Sequence, residues 1–193
     1  MELGCDSLIL MRILLLSFYY PPDIGPGPLR AKAIVDALQV VSNRTGVTNL
    51  SIDVLTTLPN RYKSTIVDAL KFEKVGSTII HRFDLPAHQS GMADQSWAFI
   101  AYARAVQRQV RGEAYDLVIA TSSRLLTASL GAWVARKSQA KLYLDIRDLF
   151  TETLGDVLAK SPLRLLVPVF RWLERRTFSK ADRINVVSAG FLP

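Results

Sequence analysis

Cysteine is almost missing from this chain of 193 residues. Cys5 stands alone, which excludes an internal disulfide framework and fits a reducing compartment, so a cytoplasmic location is expected. Histidine is nearly as scarce: His81 and His88 form no cluster with the spacing of metal ligands, and neither a structural metal nor a resident cofactor is expected. Long apolar runs are missing too. The richest stretch, "SLILMRILLLSFYY", is broken by Arg12, follows Glu2 and Asp6 instead of a basic segment, and falls short of the roughly 20 residues that a spanning helix needs. Met11 opens "MRILLLSFYY" as a natural start would, so residues 1–10 read as a leader or a mis-assigned start ahead of a domain covering 11–193. Acidic side chains are the minority, 17 against 24 Lys and Arg, which leaves a formal charge of +7. Such an excess suits a phosphate-bearing partner, a nucleotide or an anionic membrane surface. The basic residues are spread among helices without a recognisable nucleic-acid motif, so nucleic acid is not expected.

Apolar residues make up 49% of the chain, enough for a real core. Residues 13–17 read as a strand, apolar up to Ser17, of the kind that parallel sheets cover on both faces. Ile34, Ala37, Leu38 and Val41 recur at helical spacing, and "NLSIDVLTT" returns as a strand. Residues 58–76 read as polar and irregular, followed by a strand in "STIIHRF", a helix over about 94–112, a strand in "YDLVIAT", a helix in "RLLTASLGAWVARK" and a strand in "KLYLDI". A helix over about 162–179 and the strand "RINVVS" close the pattern. This alternation predicts an α/β, Rossmann-like parallel sheet with helices on both faces, whose ligands bind beyond the carboxyl ends of the strands.

Three strand ends therefore carry the candidate chemistry. In "SFYYPPDIGPGPLR" the spacing predicts a helix capped by Gly27 with Pro28 at its first position. Its N-terminal N–H groups, the glycines Gly25 and Gly27, and Arg30 one turn on suit a diphosphate; a tight turn serving only the backbone is the competing reading. A dinucleotide fingerprint fails here, because its third glycine would be Arg30 and the second strand ends in Thr56 and Thr57 instead of an acid. At the second end, Thr121, Ser122 and Ser123 either cap the following helix or face a polar ligand. At the third, "LDIRDLFTE" crowds Asp145, Arg147, Asp148 and Glu152, which either bind something or form an internal ion-pair network.

The stretches "MRILLLSFYYPPDIGPGPLRAKAIVDAL", "LYLDIRDLFTET" and "LERRTFSKADRINVVSAGF" resemble, in order, landmarks of the amino-terminal half of group-1, retaining, nucleotide-sugar-dependent glycosyltransferases of the GT-B fold, most of all bacterial enzymes of O-antigen and capsule synthesis. The resemblance implies half of a GT-B fold, with a carboxy-terminal donor domain beyond Pro193. It implies transfer of a sugar from a nucleoside diphosphate donor to a saccharide or lipid-linked saccharide. Gly25, Gly27 and Arg30 would then lie against the donor diphosphate, and Arg147 and Asp148 beside the transferred sugar and acceptor, Asp148 positioning more than acting as a base. Ser122, Ser123, Asp145 and Glu152 would serve the acceptor or support the loops. Two departures from the commoner family pattern stand out: Pro26 separates the glycines, and Arg147 occupies the place of a histidine. A stand-alone nucleotide-binding Rossmann module without transferase activity is the alternative.

In the helix over 162–179, Leu163, Leu166, Val167, Phe170 and Leu173 make a stripe expected to pack on the sheet. Leu165, Val169 and Trp172 make a second apolar stripe, with Arg164, Arg171 and Arg175 on the other side. Either that stripe meets an anionic membrane, at the inner face of the cytoplasmic membrane, or it packs on a neighbouring helix or a further domain.

Overall fold

In a computed structural model, which describes residues 10–47, 49–59, 69–86, 92–122, 125–147 and 165–187, the chain forms a seven-stranded sheet in the order β3-β4-β2-β1-β5-β6-β7. The strands are β1 (Met11–Leu16), β2 (Leu50–Thr57), β3 (Phe72–Val75), β4 (Thr78–Phe83), β5 (Leu117–Ser122), β6 (Lys141–Ile146) and β7 (Arg183–Val186). The helices are α1 (Pro26–Thr45), α2 (Met92–Gln109), α3 (Leu125–Ser138) and α4 (Val167–Phe178). All pairings are parallel except β3 with β4. The fold is the expected Rossmann-like one.

Two apolar layers hold the sheet. Ile13, Leu15, Ile52 and Val54 point to the face that α1 covers with Ala31 and Val35. Leu14, Leu16, Leu55 and Leu144 point to the other, where α2 supplies Phe99, Tyr102 and Val106 and α3 supplies Leu130 and Val134. The strict alternation along β1 is the period-2 geometry of a strand buried on both sides. Gly131 is the point of closest approach of α3, since a Cβ there would come within 2.7 Å of the Ala120 Cβ.

Three expectations are corrected. Helix α1 starts two residues early: Gly25, at φ 142°, is the N-cap and Pro26 sits in the first turn, its missing N–H no loss where no intrahelical acceptor exists. Residues 58–76 are not wholly irregular, because Phe72–Val75 forms the antiparallel edge strand β3. Helix α4 buries Glu174 and Thr177, with Val167, Phe170 and Leu173 half-buried and Leu166 exposed. It meets α3 through a hydrogen bond of 2.9 Å between the Ser129 and Thr177 hydroxyls, so a polar contact occupies part of the interface.

Candidate functional site

The loop between β1 and α1 is fixed from below. Phe18 enters the α2–α3 layer, at 5.2 Å from the Tyr102 ring, while Tyr20 enters the α1 layer. Burial pushes the Tyr20 hydroxyl up to about 12, so it stays protonated. The hydroxyls of Thr57 and Thr56, at the end of β2, donate to the Phe18 carbonyl at 2.7 and 3.3 Å. Arg82, buried at the end of β4, donates to the Pro21 carbonyl at 2.8 Å. The Pro21–Pro22 peptide is cis. These anchors hold the start of α1 above the sheet's carboxyl edge.

That start is electropositive. The N-cap glycine has no capping side chain and no acid lies in the first turn of α1; Pro26 and Pro28 carry no N–H and the Leu29 N–H donates to the Gly25 carbonyl at 3.3 Å, so this end presents the Gly27 N–H together with the helix dipole. The guanidinium of Arg147, just beyond β6, lies against it: a Cβ on Gly27 would fall 2.9 Å from Arg147 Nη1 and 3.3 Å from Nη2. The glycine leaves room here for the guanidinium, and a Cβ would displace that flexible side chain without straining the backbone. A cation beside a helix N-terminus is a favourable seat for an anion.

Under this pair lies a buried carboxylate. Thr121, Asp145 and Asn185 are register partners across β5, β6 and β7, so their side chains fall side by side. Asp145 Oδ2 accepts from the Thr121 hydroxyl at 2.9 Å and Oδ1 from Asn185 Nδ2 at 2.8 Å. Arg30 adds two bonds, Nε to Oδ2 at 2.7 Å and Nη2 to Oδ1 at 2.6 Å. Burial alone would push the Asp145 carboxyl up; the bonds from Arg30, Asn185 and Thr121 outweigh it and hold the group below the usual carboxylate value. Arg30, expected at the diphosphate, thus spends two nitrogens tying α1 to the sheet.

Gly25, Gly27, Arg30, Asp145 and Arg147 come together at this edge. Ser122 ends β5, its side chain outside the described set; Ser123, Asp148, Glu152 and Arg164 lie outside the described residues. Leu165, Val169, Trp172, Arg171 and Arg175 are far along the chain on the exposed side of α4. Asn185, Arg82 and the Thr56–Thr57 pair are supports of this edge that sequence reading passed over, the two threonines alone carrying a signal as a polar end to an apolar strand; Thr121, expected to face a ligand or cap a helix, instead donates to Asp145. Among the described residues no group of three His, Cys, Asp or Glu side chains could hold a metal ion. A cavity of about 430 Å³ opens on the α1 side, beneath Tyr20 and Pro22. Its charges are matched internally, Lys32 with Asp36 and Arg82 with Glu73.

Comparison with known proteins follows the same lines. Residues 48–192 match the family described as Glycosyl transferase 4-like domain. No characterised protein matches the sequence at a comparable level. Among solved structures, a sucrose-phosphate synthase from Thermosynechococcus elongatus superposes with a TM-score of 0.53 at 15% identity, over 92% of this chain and 47% of that one. A UGT transferase from Siraitia grosvenorii in complex with UDP superposes with a TM-score of 0.50 at 15% identity, over 91% of this chain and 44% of that one. This chain spans about half the length of each.

Proposed function

Because the chain belongs to the Glycosyl transferase 4-like domain family, of group 1 and GT-B type, we propose that it is the amino-terminal, acceptor-side domain of a retaining glycosyltransferase. The donor is a nucleoside diphosphate sugar and the acceptor a saccharide or lipid-linked saccharide of a bacterial surface polysaccharide. A carboxy-terminal domain gripping the donor completes the cleft. That this chain spans only about half of each neighbour supports that second half, and the UDP in the Siraitia transferase supports a nucleoside diphosphate as leaving group.

The observation that carries the reading is the contact of Arg147 with Gly27 at the bare start of α1. As the bond from the anomeric carbon to the diphosphate oxygen breaks, charge grows on that oxygen. The Gly27 N–H, the helix dipole and a guanidinium held in place before the reaction stabilise it without reorganising. The acceptor hydroxyl oxygen forms the new bond to the same carbon, and its proton passes to the departing diphosphate. Asp148, next in sequence to Arg147, has the role of orienting the sugar and acceptor, and Ser122, Ser123 and Glu152 that of serving the acceptor or supporting the loops. A lipid-linked acceptor would bring the domain to the cytoplasmic face of a membrane.

The test is Arg147→Ala in the natural full-length protein. Loss of a charge-assisted bond, worth about 1.5–3 kcal/mol, should weaken nucleoside diphosphate binding roughly tenfold to a hundredfold and lower sugar transfer, with the thermal midpoint unchanged. Unaltered affinity and turnover would overturn the assignment.

A further inference from the structure

The chain has three tryptophans, and all three stand on the outside of one helical layer. Helices α2 and α3 both line the apolar layer opposite α1, Phe178 of α4 packs against it, and α3 touches both α2 and α4. On α2 the buried positions Ala98, Tyr102 and Val106 set the inner face, and Trp97, at 56% exposure, projects from the opposite one. Trp133 of α3 is 40% exposed and Trp172 of α4 59%. Each has a cation over its ring: Arg104 at 5.8 Å from Trp97, Lys137 at 5.1 Å from Trp133, Arg176 at 5.5 Å from Trp172.

A single exposed apolar side chain needs no explanation. Tryptophan is different, because burying it stabilises a core by several kcal/mol, and here none is spent in the core. On α4 the exposed ring continues into Leu165 and Val169, at 77% and 56% exposure, so the second stripe read from the sequence meets no cover within the described chain. The charge is equally one-sided. The three helices carry seven exposed basic residues against two acids, Asp94 and the buried Glu174. Among the described residues none of these helices is long and apolar enough to cross a membrane.

From this layer of α2, α3 and α4 we infer a docking surface for an anionic lipid bilayer, with Trp97, Trp133 and Trp172 at the level of the headgroups and their paired cations reaching lipid phosphates. Tryptophan suits that depth because its ring is apolar and its indole N–H stays wet. Flanking Arg and Lys side chains extend their stems along the apolar surface and place the charge in the headgroup region. A protein partner with an acidic face would satisfy the cations, and a second copy would satisfy the rings but would set cation against cation. Only the purpose, bringing the strand-edge site to a lipid-linked acceptor, rests on the glycosyltransferase reading; the docking does not.

The 193-residue chain is mixed with vesicles of phosphatidylcholine alone or with phosphatidylglycerol, and binding is followed by co-sedimentation and intrinsic fluorescence. Binding to the anionic vesicles is expected, weakening as salt rises to about 0.5 M. Because every tryptophan lies on the docking face, the whole emission should shift to the blue and be quenched by brominated lipid. Trp97→Ser, Trp133→Ser and Trp172→Ser should each reduce partitioning, with the thermal midpoint kept. Arg104→Gln/Lys137→Gln/Arg176→Gln, which leaves the rings in place, should lose roughly fivefold per charge removed. No binding to anionic vesicles at low salt overturns the inference. So does quenching confined to Trp172, which would reduce the surface to α4, or a concentration-dependent dimer in sedimentation that the tryptophan variants abolish. None of these outcomes touches sugar transfer.

Discussion

The guanidinium of Arg147 fills the space that a side chain on Gly27 would need, at 2.9 Å from the position of its Cβ. Two positive features, a side chain and a helix end, are thereby brought to one point from segments more than a hundred residues apart in the chain. Neither alone distinguishes a phosphate site from an ordinary turn; the proposed function rests on their contact.

Gly27→Ala should therefore act through Arg147. The methyl group fits the helix, and alanine favours helix by about 1 kcal/mol over glycine, so stability should hold or rise slightly. The guanidinium must swing away, and nucleoside diphosphate affinity of the full-length protein should fall several-fold. In a double-mutant cycle with Arg147→Ala the two losses should not add. Calorimetric titration checks this; additive losses would show that Gly27 and Arg147 act separately.

Much of this was legible in the sequence where burial forces a pattern. The apolar runs of β1 and β6 and the glycine–proline punctuation before α1 carry enough signal to give the parallel sheet and the edge at which the site is proposed. Strand β3 escaped because "FEKV" is mostly exposed at the sheet edge and so lacks an apolar face to advertise it. The start of α1 was misjudged because Pro26 and Pro28 are both suited to a first turn, and only the backbone at Gly25 decides between them. Asp145 was visible as a charge out of place, but its partners were not. Thr121 and Asn185 reach it through strand register, and Arg30 through the seating of α1, relationships that no local spacing encodes.

Asp145→Asn should be costly and should flatten the acid limb of stability. Arg30 is partly exposed, which softens the loss of its partner, so about 2–4 kcal/mol is expected. The sign with pH follows from the depressed folded value: the carboxylate stabilises fully above its unfolded pKa of about 4 and loses that contribution as pH falls through the lower folded value. Wild type should lose stability on acidification below pH 4 more steeply than the variant. Urea midpoints between pH 7 and pH 3 measure it, and parallel curves would remove Asp145 from the account.

The 193-residue chain should melt cooperatively yet transfer no sugar. Its two apolar layers are continuous through the described strands, whereas its length is about half that of the neighbours with the same fold. A donor held from one side only is neither oriented nor desolvated, and orientation contributes a large share of rate enhancement. Calorimetry and an assay with radiolabelled nucleoside diphosphate sugars give the answer; measurable transfer would mean that the strand edge suffices alone.

Thr57→Val tests whether the loop's footing matters to its function. The Thr57 hydroxyl donates to the Phe18 carbonyl at 2.7 Å, with the longer Thr56 bond as its backup. Valine keeps the shape and removes the bond, so stability should fall by about 1 kcal/mol and the thermal midpoint by roughly 2–4 °C. Because that carbonyl anchors the segment leading to Gly25, the start of α1 should lose its fixed position relative to Arg147. Nucleoside diphosphate affinity should then drop in the full-length protein, and Thr57→Ser, which restores a donor, should recover both. If valine lowers the melting temperature while affinity stays intact, the threonines merely close the end of β2. The electropositive seat would then be organised from the Arg30–Asp145 side alone.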